Sequence, residues 1–473
     1  MKRVLILGGG LGGLSAGLML SRTGKFNVTV VEKEPMVGGV CGTFRHKDFL
    51  LDYGAHKVYS VIPGILDEFK ALMGGDSIPH RKKNSIYLFG QYLNYPINMA
   101  DLALKMGYKN LFQCGIGTFQ SMVAKIGRKD KIASYEDFVV SKFGHKLYEL
   151  VFEPLADKVW GNPKTLSADI AKTRIPSANI FDVLLRALGL KKEKTTTDAK
   201  FFYYPRCGFG ALADKMAQEI SAKGGSVLTG TTAESFQMED GDIRKAVLNS
   251  NGNKKIAETD LVISTLHPDQ LLNIFPEYST KNIGKARDLV GKLEYRSVIL
   301  VYLFLDKDTV TDDHWIFFPG KDIIFSRIFE QKNMDSSMVP KGKTVLCCDF
   351  TDYEKGPLYK QDDKVLADKC VGDLVKIGLI KPEWVQESLV RRFSKFYPRY
   401  GVGYKKNLKM IYDELQGVNN LLLSGRIGFY NYNNADHCLD MGRFIADSLL
   451  ADKPVKGIWK ELENRVSEYR IVD

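Results

Sequence analysis

Five glycines fall within six residues near the start of the chain, in the order Gly8-Gly9-Gly10-Leu11-Gly12-Gly13. They follow the apolar run Val4-Leu5-Ile6-Leu7 and precede Leu14-Ser15-Ala16-Gly17-Leu18-Met19-Leu20, whose spacing is helical. A second β-type run, Val28-Thr29-Val30-Val31, ends at Glu32 with Lys33 beside it. A turn of this kind binds a pyrophosphate. Gly8 permits the tight bend, Gly10 lets the backbone reach the phosphates, and Gly13 lets the helix sit close to the strand. The helix amino terminus, where Gly12 also lies, then offers free N–H groups and partial positive charge. An acid at the end of the second strand is placed to accept from ribose hydroxyls. A glycine-rich turn without a ligand is the bland alternative, and the strand before it, the helix after it and the acid at the end of the second strand weigh against it.

The fingerprint alone leaves FAD and NAD both open. The next stretch favours FAD, because glycines continue past Glu32 in Glu34-Pro35-Met36-Val37-Gly38-Gly39, and Asp52-Tyr53-Gly54-Ala55-His56 follows. A second glycine pair lets the chain run along an extended cofactor. Other chemistries find little support. The seven cysteines, at 41, 114, 207, 347, 348, 370 and 438, form no CxxC pair. That is the usage of reduced thiols in a cytoplasmic enzyme. The seven histidines show no metal-ligand spacing, so no metal is expected. The net charge of +11 points to an anionic partner: a phosphorylated cofactor, an acidic substrate, a membrane surface or nucleic acid. No signal peptide is legible, and the longest purely apolar run, residues 298–305, is too short to span a bilayer.

With these motifs in place, the chain resembles the superfamily of FAD-dependent amine oxidases, protoporphyrinogen oxidases, phytoene desaturases and UDP-galactopyranose mutases. Gly38-Gly39-Val40-Cys41-Gly42-Thr43-Phe44 is similar to that group's second flavin-contacting stretch. The strand at Ser226-Val227-Leu228 resembles the return where backbone near Val227 meets adenine. The run Gly425-Arg426-Ile427-Gly428-Phe429-Tyr430-Asn431-Tyr432-Asn433-Asn434 resembles the last flavin-binding element. There a helix amino terminus would stabilise negative charge on reduced flavin. The resemblance is strongest to the mutases and to protoporphyrinogen-oxidase-like proteins. Tyr95-Pro96-Ile97-Asn98 carries it, as do Val159-Trp160-Gly161-Asn162-Pro163, Arg174-Ile175-Pro176, and Trp315-Ile316-Phe317-Phe318-Pro319 with Phe325-Ser326-Arg327 after it. Ala55 departs from it, standing where the mutases usually carry glycine.

The resemblance implies FAD as cofactor and a small anionic molecule as substrate, with a nucleotide sugar as the specific candidate and no nucleic acid as partner. Two reactions follow. One is hydride transfer from an anionic organic substrate to flavin N5. The alternative is mutase chemistry, in which reduced flavin acts as nucleophile on a nucleotide sugar. In the mutases, arginines matching Arg174 and Arg327 clamp the diphosphate. Planar, always-charged guanidinium suits that task better than lysine, although an isolated arginine more often ends in a salt bridge. The implied substrate set is Tyr95, Trp160, Arg174, Trp315, Arg327, Tyr400 and Tyr430, with His56, Arg174, Arg327 and Tyr432 in catalytic roles. Neighbourhood adds Tyr404, Tyr430 and His437 as candidate bases.

These residues must be carried by an α/β fold: a Rossmann-like FAD-binding domain with a parallel sheet, assembled from residues 1–58, 201–270 and 421–473. A helical insertion at 59–200 and an antiparallel-sheet region at 271–420 form an α+β substrate domain. Helices are expected over 101–122, 135–159, 180–190, 211–222 and 365–377. Strands are expected over 293–305, 315–318, 323–328 and 344–350, with a turn at 396–401. Residues 191–197, rich in lysine and threonine, read as a linker. Phe181, Val183, Leu184, Leu185 and Leu188 next to it leave a peripheral membrane contact open beside ordinary core packing. The sequence sets no oligomeric state.

Overall fold

A computed structural model of the chain describes residues 1–97, 101–102, 105–107, 109–110, 112–117, 132–174, 200–277 and 283–470. The chain folds into two compact units. The first comprises Met1–His80, Phe202–Leu293 and Tyr404–Ile471, and the second Arg81–Phe201 and Glu294–Gly403. The expected helix at 180–190, the linker at 191–197 and the Ile175-Pro176 pair lie outside the described residues, as does part of the helix expected at 101–122. Among the described residues no helix is long and apolar enough to cross a membrane.

The first unit is built on five strands: β1 (Lys2–Leu7), β2 (Phe26–Val31), β3 (Ser226–Leu228), β4 (Leu261–Ser264) and β5 (Leu421–Leu423). All pair in parallel, in the order β5-β4-β1-β2-β3. Such a sheet is covered on both faces, so its strands read as continuous apolar runs; Val4 to Leu7 and Leu261 to Ile263 are all buried. The order reverses at β1, with β2 and β3 on one side and β4 and β5 on the other. Ligands of doubly wound sheets bind at the carboxyl ends of the strands at such a reversal. Four helices matter below: α1 (Leu11–Arg22), α2 (Gly210–Ala222), α3 (Ala435–Leu450) and α4 (Val455–Glu468). The strand–turn–helix and the 211–222 helix thus stand where the sequence pattern puts them.

A three-stranded antiparallel sheet, Thr231–Glu239, Asp242–Ser250 and Asn253–Glu258, lies inside residues 201–270 in addition to the expected parallel sheet. Its turns are Asp240-Gly241 and Asn251-Gly252, with φ of 51° and 81° and of 51° and 90°. Asp-Gly and Asn-Gly are the pairs that accept two successive positive φ values in a tight hairpin.

The second unit carries a seven-stranded sheet. Its order is Val385–Arg399, Glu294–Leu305, Thr344–Asp352, Arg327–Glu330, Trp315–Phe317, Asn84–Leu88, Gln91–Asn94. Every pair is antiparallel except Trp315–Phe317 against Asn84–Leu88. Two expectations fail locally. The strand expected at 323–328 forms only from Arg327 onward, because Ile324 N–H donates to Asp373 Oδ2 (2.6 Å) rather than to a ladder. Residues 396–399, expected as a turn, continue the edge strand. Pro398, with no N–H, is tolerated at an edge. The helical stretch 135–159 is real but divided. Tyr135–Phe143 starts on a Ser134 capping box and stops at Gly144, φ 82°. The chain then coils through His145–Leu147, widens to a π turn over Tyr148–Phe152 and continues as Glu153–Trp160. Pro154 explains the widening, since it cannot donate to the preceding turn and its ring crowds that turn's carbonyl.

Candidate functional site

Each glycine of the first turn has a separate reason. Gly8 has φ 102°, and a Cβ there would lie 2.2 Å from Thr265 Oγ1. A Cβ on Gly13 would lie 2.0 Å from the Gly8 carbonyl oxygen and 3.2 Å from Ile6 Cγ2, so α1 packs close to β1 only with glycine. Gly12 meets the backbone of Gly425, where a Cβ would come within 2.5 Å of Cα. Gly10 differs: a Cβ there would meet no protein atom within 4 Å. Gly10 is the N-cap of α1 and no side chain caps that helix. Protein thus crowds the turn at Gly8, Gly12 and Gly13 and leaves space at Gly10, beside the free N–H groups of the helix start, which fits a bound pyrophosphate.

Glu32 is buried, 7% exposed. Its carboxylate accepts from Gly9 N–H (2.8 Å) and Glu34 N–H (2.9 Å), so it also pins the glycine turn. The exposed Lys33 side chain pairs with Glu34 at 3.3 Å. Val227 pairs with Val30 at the edge of the parallel sheet. Gly38 and Gly39 have φ of 103° and 55°. Gly38 bridges to Gly10 and donates to the Gly9 carbonyl oxygen (2.8 Å), so the second glycine pair is docked on the first. Asp52 is 1% exposed and holds this stretch in place. It accepts from Phe209 N–H (3.0 Å), Thr43 Oγ1 (2.5 Å) and the Tyr204 hydroxyl.

The carboxy-terminal element closes the same unit. Arg426 Nε donates to the Asn433 carbonyl oxygen (2.8 Å), folding the 426–433 run back on itself. Tyr430 sits at φ 42° and is buried, an uncommon conformation for an aromatic residue. Tyr432 is buried and Tyr404 lies 6.2 Å from Tyr430, centroid to centroid. Asn434 is the N-cap of α3 and its N–H donates to His437 Nδ1 (3.0 Å). His437 is thus a capping residue, stacked on Tyr469 with ring centroids 4.4 Å apart. Burial holds its pKa below the usual histidine value, and its Nδ1 lone pair is committed to the cap. His56 is likewise held, its Nε2 donating to the Val40 carbonyl oxygen (2.9 Å). Burial pushes the Cys41 thiol up to about 12 and Cys438 to about 11, against the pull of Arg426, so neither is a thiolate at neutral pH. Among the described residues no group of three or more metal-type side chains comes together.

In the second unit the two arginines have different surroundings. Arg174 ends the Ala168–Arg174 helix and lies over Trp160, 5.0 Å from the ring centroid. Tyr135 packs 6.1 Å from the same indole. Trp160 is 5% exposed, and its Nε1 has no hydrogen-bond partner among the described residues. Arg327 instead faces Asp349 across the ladder, with Nε donating to Oδ2 at 2.6 Å. Burial raises the Asp349 pKa and the Arg327 guanidinium opposes that rise. Trp315 also differs from Trp160: with the Asn84 amide turned to suit the network, Trp315 Nε1 donates to Asn84 at 2.8 Å. Tyr95 packs on Phe317 at 4.6 Å, and the carbonyl oxygen of the buried Tyr400 accepts from Ser167 N–H (2.6 Å).

Sequence reasoning passed over Ser15, Gly442 and Asp440. Ser15 donates to the Leu439 carbonyl oxygen (3.0 Å), and a Cβ on Gly442 would lie 2.2 Å from Ser15 Oγ, so α1 and α3 touch through small residues. The fully buried Asp440 opposes the upward push of burial by accepting from Arg465, Tyr469 and Arg443, and stays below the usual carboxylate range. Small residues at four-residue spacing were the available signal for the first pair; the acid had none.

A parallel sheet reversing at a glycine cradle in one unit, and a mixed, mainly antiparallel sheet in the other, match the FAD-dependent oxidoreductase fold. The model of the family described as flavin containing amine oxidoreductase matches residues 11–427. The chain belongs to that family, and its cofactor is FAD. It is 23% identical to the 15-cis-phytoene desaturase of Synechococcus elongatus over 338 residues, covering 67% of this chain and 68% of that protein. It is 28% identical to the phytoene desaturase of Cercospora nicotianae over 146 residues, covering 31% of this chain and 21% of that protein. The match thus spans about a fifth of that relative's length. Its fold is similar to that of a reduced UDP-galactopyranose mutase, with a TM-score of 0.85, 18% identity and 100% of both chains covered. At that identity the likeness is one of fold.

Proposed function

We propose that this FAD enzyme oxidises a small anionic organic substrate by hydride transfer to the flavin. The first unit binds the ADP half through Gly8, Gly10, Gly12, Gly13, Glu32 and Lys33, with Val227 at the adenine. Gly38, Gly39, Gly425, Arg426 and Asn434 serve the flavin half. When bound, FAD supplies a two-electron acceptor. The chain's own part is to orient the substrate, exclude water and stabilise charge. The observation that carries the substrate class is the Trp160–Arg174 pair: a guanidinium over an indole whose own buried N–H has no partner among the described residues. A buried donor without an acceptor is costly, and an oxygen-rich anion would accept from the Trp160 N–H beside a fixed positive charge. Arg327, Tyr95, Trp315, Tyr400 and Tyr430 complete the proposed substrate set, and Tyr432 is the proposed catalytic hydroxyl. His56, tied to a backbone carbonyl, serves as a fixed wall.

The mutase reading is kept beside it because the same pair suits a nucleotide-sugar diphosphate, and because the fold resembles a protein of that activity. Anaerobic mixing separates the two. Under the redox reading, substrate bleaches the flavin and turnover stops without an electron acceptor. Isomerisation of a UDP-hexose by dithionite-reduced protein, with no acceptor present, would overturn it in favour of the mutase.

A further inference from the structure

The end of the Glu153–Trp160 helix is a problem in hydrogen bonding. Its last carbonyls have no partner within the helix, and the chain leaves through Gly161 at φ 79°. Side chains from the sheet take up those carbonyls. Thr351 Oγ1 lies 2.8 Å from the Lys158 carbonyl oxygen and 2.9 Å from that of Val159. The next acceptors fall to one residue, Arg399. Its Nε donates to the Trp160 carbonyl oxygen (2.8 Å), and its Nη2 to the Asn162 carbonyl oxygen (3.2 Å) and Thr165 Oγ1 (2.6 Å). Its Nη1 pairs with Glu294. Arg399 is 2% exposed and ends the Val385–Arg399 edge strand. The chain on either side continues the same attachment, with Ser167 N–H donating to the Tyr400 carbonyl oxygen and Val402 N–H to that of Thr165 (2.9 Å).

We propose that Arg399 is the positioning residue of the Trp160–Arg174 pair, the residue that sets where an anionic ligand's oxygens are received. The proposal rests on the anion-binding role given to that pair above. Its physical basis is a contrast within one residue. The Trp160 backbone is fixed by a buried guanidinium, while the Trp160 indole N–H has no partner among the described residues. A rigid main chain with an uncommitted donor is what a preorganised ligand contact requires. Only arginine suits the post, because its planar fork offers five donors in fixed directions, whereas lysine places its donors at one point. Lysine would keep the charge facing Glu294 but could not span Trp160, Asn162 and Thr165 together. Tyr400, next in the chain, is carried by the same anchor.

The test uses Arg399→Lys in the full-length holoprotein, with the Trp160 contribution to near-ultraviolet circular dichroism isolated by subtracting the matching Trp160→Phe spectrum. The expected result is normal FAD content and far-ultraviolet spectrum, with most of the Trp160 band gone and UDP affinity at least tenfold weaker by calorimetry. A Trp160 band of wild-type intensity in folded Arg399→Lys overturns the proposal, whatever UDP does. If wild-type protein binds no UDP, that failure belongs to the nucleotide-sugar reading, and the band still decides on Arg399. Should Arg399→Lys not accumulate as folded holoprotein, Thr165→Val carries the test by removing a single anchor. A reduced Trp160 band in it supports the proposal, and an unchanged band overturns it.

Discussion

The glycine cradle of the first unit and the Trp160–Arg174 cluster of the second are specified in opposite ways. The cradle is a site made of missing atoms. At Gly8, Gly12 and Gly13 a Cβ would strike protein, and at Gly10 it would strike nothing, so three positions shape the turn and one leaves room. The cluster is made of side chains held by other side chains, as when Arg399 fixes the backbone of Trp160. A site of absences tolerates almost no change but is written in consecutive residues. A site of side chains tolerates change at its rim but is gathered from a helix end, a strand end and a turn.

The largest expected effects test the cradle's internal division. Gly13→Val should prevent accumulation of folded protein, because its Cβ would meet a backbone oxygen at 2.0 Å. Gly10→Val should give a folded protein without flavin, since its Cβ clashes with no protein atom. Flavin absorbance together with thermal melting of the apoprotein separates the two. A Gly10→Val protein with full FAD content would mean that the pyrophosphate does not lie there.

The next effect separates the two arginines. Arg327→Ala strands the buried Asp349 and should cost about 3–5 kcal/mol of stability, read by denaturant unfolding. The double variant with Asp349→Ala should recover much of it. Arg174→Ala should leave stability and FAD content near wild type while weakening an anionic ligand at least tenfold, as expected when one desolvated charge partner is removed, roughly 2–5 kcal/mol. If Arg327→Ala instead melts like wild type, its ion pair is not structural and its claim to the ligand grows. Glu32→Ala should weaken FAD by roughly 1–3 kcal/mol. Because Gly9 and Glu34 lose their acceptor too, the apoprotein melting point should fall alongside; unchanged melting would mean the turn is held without it.

The last effect is a pH dependence in the second unit, small over any one pH unit. Lys158 donates to the Phe318 and Phe325 carbonyl oxygens at 2.8 and 2.9 Å, and burial brings its pKa down to about 8. A depressed lysine favours the folded state more as pH rises, because the unfolded chain binds the extra proton. Its contribution is full above the ordinary lysine value and is lost as pH falls through about 8. Relative to Lys158→Met, the wild type should gain about 1.4 kcal/mol per pH unit between those limits. Parallel stability curves for the two proteins would rule the depressed lysine out.

What was legible follows from sequence distance. The cradle could be read because Gly8, Gly10, Gly13 and Glu32 sit on one strand–turn–helix–strand, where a local pattern dictates the geometry. The parallel strands were legible for the same reason, as short apolar runs. The hairpins at Asp240-Gly241 and Asn251-Gly252 carried a local signal too, in the Asp-Gly and Asn-Gly pairs themselves. The 396–399 turn was misread because Pro398 suggests a break, and only the sheet's order reveals that its strand lies at an edge. His437, a candidate base by neighbourhood alone, caps α3, since its Nδ1 accepts from a backbone N–H seen only once α3 is placed. By itself the sequence determined the cofactor-binding turn and the class of fold, because backbone shape there depends on neighbours a few residues away. That Arg327 is tied to Asp349, that the Trp160 N–H has no partner among the described residues, and what holds Trp160 in place were decided by tertiary structure alone. Arg327 and Asp349 are 22 residues apart, and Trp160 and Arg399 are 239 apart. Chain separations of that size are closed only by folding, and no local pattern records which side chains will meet.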